Sequence, residues 1–264
     1  MQLKGRGAFI TGGASGIGLA IASNLARRGA RVAIVDIDAS AAEKAAAELR
    51  NSGADTIALQ ADVTDAASLE RAVQEAIAAF GRLHLICCNA GAFTSSSVAE
   101  SSAADWEWLI SINLMGVVNT IHATLPHLLE HGDGGHIVNT ASVAGHMSMP
   151  GIAIYSATKF AVVALSEALR GELKEQDVGV SVLCPGVVKT NLLETSGQHR
   201  PERFGGPTQL ETMLDDTVPG GTDPDDVGRQ VCDAIEAGRF YIFTHPELRP
   251  IIESRLREII DAQN

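Results

Sequence analysis

Short apolar runs alternate with amphipathic segments along the whole chain. The apolar runs predict strands at residues 8–10, 31–35, 56–60, 83–88, 136–140, 180–184 and 240–243, and helical periodicity predicts helices at residues 19–28, 39–51, 66–80, 105–130 and 154–175. Such alternation is characteristic of a parallel sheet covered by helices on both faces. The sequence therefore predicts an α/β fold, with a doubly wound seven-stranded parallel sheet in a single domain that spans residues 1–264.

Two segments depart from this regular alternation. Residues 191–222 form a polar stretch containing glycine and proline, with one candidate short helix at residues 208–214. A stretch of this length inside a compact domain is either a lid or disordered, and we favour a substrate lid. In the helix at residues 105–130, Pro126 removes a backbone donor, and we expect the axis to kink or break near His122.

A glycine-rich turn lies between the first predicted strand and the first predicted helix. Gly12, Gly16 and Gly18 allow the backbone to approach a pyrophosphate closely, and the following helix directs its N-terminal amides at the anion. A glycine-rich run alone is a weak signal, but the order strand, turn, helix is the one that a dinucleotide-binding site requires. We therefore predict a dinucleotide cofactor at this turn.

The second predicted strand leads into Asp36, eighteen residues after Gly18. A carboxylate at this place can accept hydrogen bonds from the adenosine ribose, and it repels a 2′-phosphate. No Arg or Lys stands at Ala14, Ser15 or Ile37 to bind such a phosphate. The sequence therefore favours NAD over NADP, with the alternative that Asp36 only opens the next loop.

Tyr155 and Lys159 stand four residues apart at the start of a predicted helix, so their side chains share one face. The pKa of a phenol is ordinarily about 10, and a nearby ammonium stabilises the phenolate. With Ser142 as a hydroxyl donor, the set suits hydride chemistry at a carbinol carbon. Tyr and Lys at this spacing also occur by chance in surface helices, but the glycine-rich turn favours the catalytic interpretation.

Together these motifs resemble, in order and spacing, the classical short-chain dehydrogenase/reductase family over nearly the whole chain. The matching positions are Thr11-Gly12-x-x-x-Gly16-x-Gly18, Asp62-Val63, Asn89-Ala90-Gly91, Asn113, Ser142, Tyr155-x-x-x-Lys159 and Pro185-Gly186 with Thr190. Cys88 departs from the pattern, because many members carry Asn there. The resemblance implies a Rossmann fold, oxidoreductase activity and a homotetramer.

The resemblance also implies roles for individual residues. Tyr155 is expected to be the catalytic acid/base, and Ser142 is expected to orient the substrate oxygen. Lys159 is expected to hold the nicotinamide ribose and to lower the Tyr155 pKa, and Asn113 to anchor a water that links Lys159 to solvent. The cofactor contacts are expected from Gly12, Ser15, Gly16, Ile17, Gly18, Asp36, Ile37, Asp62, Val63, Asn89, Ala90, Gly91, Tyr155, Lys159, Pro185, Gly186, Val188 and Thr190.

The predicted activity is the NAD-dependent interconversion of a secondary alcohol and a ketone on a bulky aryl, alicyclic or steroid-like substrate. The substrate pocket is expected to be hydrophobic and to be bordered by Phe93, Ser142, His146, Met147, Met149 and Tyr155. Two alternatives stay open. One is an NADPH-dependent reductase of 3-oxoacyl thioesters, and the other is a non-enzymatic dinucleotide-sensing protein on the same fold.

Charge and composition exclude several other classes. The net charge is −12 and no basic cluster exceeds Arg27-Arg28, so a nucleic-acid partner is not expected. The four cysteines lack metal-ligand spacing, and only His122, His127 and His131 form even a loose histidine set, so we predict no metal. The first strand follows the N-terminus almost at once and no apolar run approaches the roughly 20 residues of a membrane span, so we expect a cytoplasmic protein without a membrane partner.

Overall fold

Seven parallel strands form one continuous sheet in the computed structural model, which describes residues 1–208 and 217–263. The strands are β1 (Gly7–Thr11), β2 (Arg31–Asp36), β3 (Thr56–Gln60), β4 (Leu85–Cys88), β5 (Gly135–Thr140), β6 (Val178–Cys184) and β7 (Tyr241–Phe243). Their order across the sheet is β3-β2-β1-β4-β5-β6-β7. The predicted single-domain, doubly wound α/β fold is confirmed.

The central strands are buried on both faces, as their continuous apolar sequences require. All five residues of β1 are buried, and its neighbours β2 and β4 lie in register, with Phe9 opposite Ala33 on one side and Ile86 on the other. The strand order reverses between β1 and β4. From β1 the chain continues to β2 and β3 on one side of the sheet, and from β4 it continues to β5, β6 and β7 on the other side. A crevice outside the carboxyl ends of strands forms at such a switch point.

One face of the sheet is covered by α1 (Gly16–Arg27), α2 (Ala39–Asn51) and α8 (Pro224–Ala237). Their apolar sides pack with those of β1 and β2 into one core. Side-chain caps fix where two of these helices begin: the Asp38 carboxylate accepts hydrogen bonds from the first turn of α2, and Asp223 caps α8 immediately before Pro224. The cap residues lie in the loops after strands, so they also fix those loops.

The other face is covered by α3 (Ala66–Phe80), α5 (Gly116–His131) and α6 (Ala153–Glu172). Residues such as Leu69, Val117, Ile121 and Val162 pack with the opposite side of the sheet. Helix α6 ends at Glu172, three residues before the predicted end. Because α6 starts directly above the ends of β5 and β6, its first turns face the crevice.

The expected break near His122 is wrong, because α5 continues through His122 and Pro126, and a kink of the axis there stays a prediction. α4 (Ala103–Ile110) leads into a π-helical segment, Ser111–Met115, and then into α5, so the irregularity lies at the turn that carries Asn113, thirteen residues before Pro126. π-helical turns insert a residue into the ladder and occur often at functional sites. The buried contacts of Asn113, described below, account for the position of the bulge better than the proline does.

The helical segment Ala103–His131 is long and apolar enough to cross a membrane by length and composition alone. In the structure, 44% of its most apolar window is buried inside the domain. It packs against β4, α3 and α6. Packing in the core accounts for the buried apolar residues of this segment, which the sequence predicts as a helix at residues 105–130.

The segment at residues 191–222 contains more structure than the sequence predicted. α7 (Leu192–Gln198) and the 3₁₀ turns Glu202–Phe204 and Val218–Gly220 belong to it, and α9 (Arg249–Asp261) follows later at the C-terminus. The candidate helix at residues 208–214 lies outside the described residues apart from Thr208, which is not helical. Leu192 and Leu193 place α7 against Phe93, Ala144 and Ile152.

Burial of His136 in β5 makes the stability of the domain sensitive to pH. Burial lowers the pKa of His136 from 6.5 to about 4. At pH values between these two, His136 is protonated in the unfolded chain and neutral in the folded chain. We expect wild-type protein to lose about 2 kcal/mol more stability between pH 7 and pH 5 than a His136→Asn variant loses. Urea unfolding at the two pH values measures this difference, and an equal loss in both proteins would contradict it.

Candidate active site

The glycine turn after β1 leaves the start of α1 open to an anion. Ser15 precedes α1, and its side chain makes no capping hydrogen bond. The first backbone N–H groups of the helix therefore have no side-chain acceptor at this cap. Gly12 and Gly16 have φ of 61° and 52°, which a side chain strains. A Cβ on Gly12 would lie 2.9 Å from Ala90 Cα. The turn is thus both open to a ligand and closed to larger residues.

Gly18 serves a different purpose from the other two glycines. A Cβ there would lie 2.0 Å from the Gly12 carbonyl oxygen and 2.6 Å from Asn89 Nδ2. Gly18 does not line the cavity described below. Its lack of a side chain lets α1 pack against the turn, and the expected contact of Gly18 with the cofactor stays a prediction.

Asn89 ties the turn to the neighbouring strands. Its amide nitrogen donates to the carbonyl oxygens of Thr11 and Gly12, both at 3.2 Å, and its side-chain oxygen accepts from Thr140 Oγ1 at 3.3 Å. The Thr11 hydroxyl oxygen also accepts from the backbone N–H of Asn89 at 3.0 Å. These bonds join the carboxyl ends of β1, β4 and β5, so the motif Asn89-Ala90-Gly91 is more than an ordinary turn.

Three carboxylates gather at one end of the same edge. Asp36 accepts hydrogen bonds from the backbone N–H groups of Ala14 at 3.1 Å and Asp38 at 3.2 Å. Asp62 accepts from the backbone and the hydroxyl of Thr64, each at 2.8 Å. Asp36, Asp38 and Asp62 all line the cavity. This end is strongly negative, which opposes binding of a further phosphate.

Ser142, Tyr155 and Lys159 converge at the other end, where β5 and the start of α6 meet. Lys159 Nζ donates to the Thr140 carbonyl oxygen at 2.9 Å and lies 5.5 Å from the centre of the Tyr155 ring. Burial raises the pKa of Tyr155 to about 12, against an opposing hydrogen bond with Ser142. Burial also lowers the pKa of Lys159 to about 8.

The Tyr155 pKa differs from the sequence expectation. Lys159 was expected to lower this pKa, but the loss of water around the buried phenol dominates and the pKa rises. The Lys159 ammonium points at the Thr140 carbonyl instead. The phenol is therefore neutral at pH 7, which is the state that a proton donor needs.

Asn113 is completely buried in the π-helical segment, and protein atoms use both ends of its amide. Its oxygen accepts from the backbone N–H of Ala92 at 2.8 Å, and its nitrogen donates to the Ala92 carbonyl at 2.9 Å and to Thr158 Oγ1 at 3.2 Å. Asn113 does not line the cavity. Its side chain thus fixes the loop after β4 to α6, and the predicted role of anchoring a water stays a prediction.

A single cavity of about 620 Å³ joins the two ends of the site. Among the residues expected to contact cofactor or substrate, those that line it are Gly12, Ser15, Gly16, Ile17, Asp36, Ile37, Asp62, Val63, Asn89, Ala90, Gly91, Phe93, Ser142, Met147, Met149, Tyr155, Lys159, Pro185, Gly186, Val188 and Thr190. The cavity extends from the carboxylates to Tyr155 and passes the open glycine turn. Both features fit an extended dinucleotide.

The expected position of His146 is wrong. His146 does not line the cavity; its Nε2 lies 3.3 Å from Cys184 Sγ, and its ring packs 5.8 Å from that of Tyr241 and 5.0 Å from that of Phe243. The 3₁₀ turn Val143–Gly145 carries the chain away from Ser142, and His146 follows it toward β6 and β7.

Sequence reasoning missed several apolar residues of the substrate end. They are Trp108, Ile152, Leu192, Leu193 and Phe204. Phe204 packs with Trp108, and the Phe93 ring lies 4.9 Å from that of Tyr155. The adjacent leucines 192 and 193 in an otherwise polar stretch were the signal that could have placed α7 over the pocket.

The loose histidine set predicted in α5 is not the one that the fold brings together. Among the described residues, His84, His131 and Asp133 have possible ligand atoms within 4.8 Å of one another. His131 Nδ1 already accepts from the backbone N–H of Asp133 at 3.1 Å, and the Asp133 carboxylate pairs with Arg82. His84 Nδ1 accepts from the backbone N–H of Gly7 at 3.3 Å, so all three side chains have partners within the protein, at the end of the sheet opposite the cavity.

These features define a dinucleotide-dependent oxidoreductase site on a Rossmann fold. The family model for short chain dehydrogenases matches residues 6–201, and the chain belongs to that family.

Similar proteins cover nearly the whole chain. A CLA biosynthesis dehydrogenase/reductase of Lactiplantibacillus plantarum is 38% identical, over 98% of this chain and 94% of the relative. A 1-deoxy-11-beta-hydroxypentalenate dehydrogenase of Streptomyces exfoliatus is 35% identical, over 99% of this chain and 89% of the relative. A solved short chain dehydrogenase/reductase from Burkholderia phymatum, in complex with NAD, has a TM-score of 0.93 and 35% identity, with 100% of this chain and 97% of that chain covered.

The buried amide of Asn113 generates a stability prediction. Asn113→Ala removes the partners of both backbone groups of Ala92, so we expect the free energy of unfolding to fall by at least about 2 kcal/mol. Asn119→Ala is the matched control, because Asn119 lies on the same helical segment and makes a single 2.9 Å bond to the Val63 carbonyl. Urea unfolding of both variants tests this, and an equal, small loss in the two would contradict it.

Proposed function

We propose that this protein is an NAD-dependent oxidoreductase that interconverts a bulky, apolar secondary alcohol and its ketone. The observation that carries the proposal is the position of Ser142, Tyr155 and Lys159 inside a cavity that the glycine turn also lines. A proton-transfer group and a dinucleotide-type turn thus share one enclosed space. Fold alone does not carry this conclusion, since the same fold hosts many activities.

The choice of NAD rests on the negative end of the cavity. Asp36 can accept hydrogen bonds from the ribose hydroxyls, and Asp38 and Asp62 add negative charge near it. Ile37 beside them is 45% exposed and apolar, so it offers no charge to a 2′-phosphate. The NAD complex of the relative from Burkholderia phymatum agrees with this choice.

The residues of the chain divide the cofactor between them. The amides at the start of α1 would hold the pyrophosphate, Asp36 the adenosine ribose, and Lys159 the nicotinamide ribose. Pro185, Gly186, Val188 and Thr190 would line the nicotinamide end. When bound, the nicotinamide supplies the hydride acceptor or donor, and the protein supplies orientation and proton transfer.

Tyr155 carries the proton in the proposed mechanism. In the direction of ketone reduction, its neutral phenol donates a proton to the substrate oxygen. The Ser142 hydroxyl, which donates to the Pro185 carbonyl, would rotate to donate to the same substrate oxygen. In the direction of alcohol oxidation, the phenolate removes that proton, and the buried Lys159 ammonium stabilises the phenolate. General acid/base action of this kind contributes roughly 10²- to 10⁴-fold to the rate.

The substrate end of the cavity favours an apolar ligand. Trp108, Phe93, Met147 and Met149 surround the space next to Tyr155, with Phe204 behind Trp108. The described residues 191–208 and 217–222 of the predicted lid would cover this space and set its selectivity, with Leu192 and Leu193 as the first apolar contacts. An aryl, alicyclic or steroid-like secondary alcohol suits such walls, because burial of its apolar surface drives binding.

The first alternative, an NADPH-dependent reductase of 3-oxoacyl thioesters, is less well supported. It would need a basic group near the adenosine ribose, where the chain has Asp36, Ile37 and Asp38. A dinucleotide sensor without turnover is the other alternative, and it leaves the convergence of Ser142, Tyr155 and Lys159 without a purpose.

We also propose that the chain assembles into a homotetramer. Tyr241, Phe243, Ile251, Leu256, Ile259 and Ile260 are exposed apolar residues of β7 and α9. Apolar residues in such number on neighbouring elements are typical of a surface that a second copy covers.

The proposed activity is tested by following NADH formation. We expect purified protein to reduce NAD⁺ in preference to NADP⁺ with bulky aryl or alicyclic secondary alcohols, and to act poorly on short aliphatic ones. Preference for NADPH with 3-oxoacyl thioesters would support the first alternative. NADH binding without turnover on the whole panel would support the sensor.

Tyr155→Phe separates chemistry from binding. The variant keeps the ring that packs on Phe93 but lacks the proton, so we expect turnover to fall by at least about 100-fold. NADH affinity, measured by fluorescence, should change by less than about threefold. Ser142→Ala removes the second proposed hydrogen bond to the substrate oxygen, so it should also lower turnover. Parallel loss of NADH binding and turnover in Tyr155→Phe would assign the phenol a structural role.

A further inference from the structure

His245 makes hydrogen bonds to the turn that follows β6 and yet does not line the cavity. The Gly186 backbone N–H donates to His245 Nδ1 at 3.0 Å, and His245 Nε2 lies 3.0 Å from the Val187 carbonyl oxygen. The hydroxyls of Thr244 and Thr222 lie 2.7 Å from Nδ1 and 3.1 Å from Nε2. Every polar atom of this buried ring therefore has a partner.

The partners fix the protonation of the ring. A backbone N–H can only donate, so His245 Nδ1 must be the unprotonated acceptor facing Gly186. A carbonyl can only accept, so Nε2 must carry the proton that points at Val187. The hydrogen-bond network thus assigns the neutral Nε2–H form of His245.

Gly186 is the residue that admits the imidazole. A Cβ on Gly186 would lie 2.7 Å from His245 Cγ, so any larger residue would displace the ring or the turn. Residue 186 must be glycine because the His245 ring packs directly against the backbone there. His245 and Gly186 are 59 residues apart in the chain, and the fold alone brings them together.

The turn that His245 holds also orients Ser142. The Pro185 carbonyl oxygen accepts from Ser142 Oγ at 3.3 Å and from the backbone N–H of Val143 at 2.9 Å. The same peptide group carries the N–H of Gly186, which donates to His245. One rigid turn therefore connects His245 to the hydroxyl beside Tyr155.

His245 also ties the turn to the residue where the segment 191–222 ends. Thr222 donates its backbone N–H to the Val187 carbonyl at 2.9 Å and accepts from the backbone N–H of Lys189 at 3.0 Å. The contact of Thr222 Oγ1 with His245 adds a side-chain bond to this pairing. His245 therefore contacts both the turn that follows β6 and Thr222, the last residue of the segment 191–222.

We propose that His245 is a positioning residue that fixes the turn from Pro185 to Val188 against the nicotinamide half of the cofactor, and through Pro185 orients Ser142. The inference rests on the proposed function, because it assigns this end of the cavity to the nicotinamide. The adenosine half would lie against Asp36 and the glycine turn, and His245 contacts neither of them. Loss of His245 should therefore weaken one half of the site and spare the other.

Binding of NADH and of ADP-ribose, which lacks the nicotinamide, tests this proposal. We expect His245→Leu to weaken NADH binding about tenfold and to change ADP-ribose binding by less than about twofold. His245→Asn should recover most of the NADH affinity, because its side-chain oxygen can take the place of Nδ1 as acceptor for Gly186. Gly186→Ala should reproduce the His245→Leu pattern, since its Cβ displaces the ring.

His136→Leu is the matched control, because it removes a buried histidine of β5 that bonds Ser181 at 2.7 Å, away from the cavity. It should lower thermal stability while leaving the ratio of the two affinities unchanged. Equal weakening of NADH and ADP-ribose by His245→Leu, or no weakening of either, would overturn the proposal. Failure of every alcohol to react would overturn the proposed reaction, while the two binding measurements would still decide the role of His245.

Discussion

The hydrogen bonds of Asn89 at the carboxyl ends of β1, β4 and β5 are the interaction on which the site depends. Through Thr11 they fix the glycine turn, and through Thr140 they reach the carbonyl that holds Lys159. A shift of one strand would therefore move the cofactor turn and the ammonium together. Because all these groups are buried or half-buried, breaking one bond would leave a polar atom without water.

Local patterns were sufficient to predict the fold and the main chemistry. The strand followed by Gly12 and Gly16 indicates a dinucleotide-binding turn from about ten consecutive residues. The spacing of Tyr155 and Lys159 places both side chains on one helix face. The parallel direction of the strands follows from the alternation of strands and helices along the chain. Each of these signals depends on neighbours in sequence, which a single chain displays directly.

The features that escaped prediction depend on contacts between distant segments. The π-helical turn at Asn113 forms because its amide meets Ala92, and His146 turns away because Cys184 and Phe243 lie behind it. Nothing near these residues in sequence announces either contact. The raised pKa of Tyr155 is of the same kind, since it reflects burial by the whole domain, which outweighs the opposing hydrogen bond with Ser142.

Transfer of isotope from substrate to cofactor tests the central claim most directly. A secondary alcohol that reacts with the enzyme is labelled with deuterium on its carbinol carbon, and the NADH formed is analysed by mass spectrometry and NMR. The account predicts one deuterium at C4 of the nicotinamide, on a single face of the ring. It also predicts that the labelled alcohol reacts more slowly than the unlabelled alcohol in single turnovers. Appearance of the deuterium in solvent water would contradict direct hydride transfer beside Tyr155.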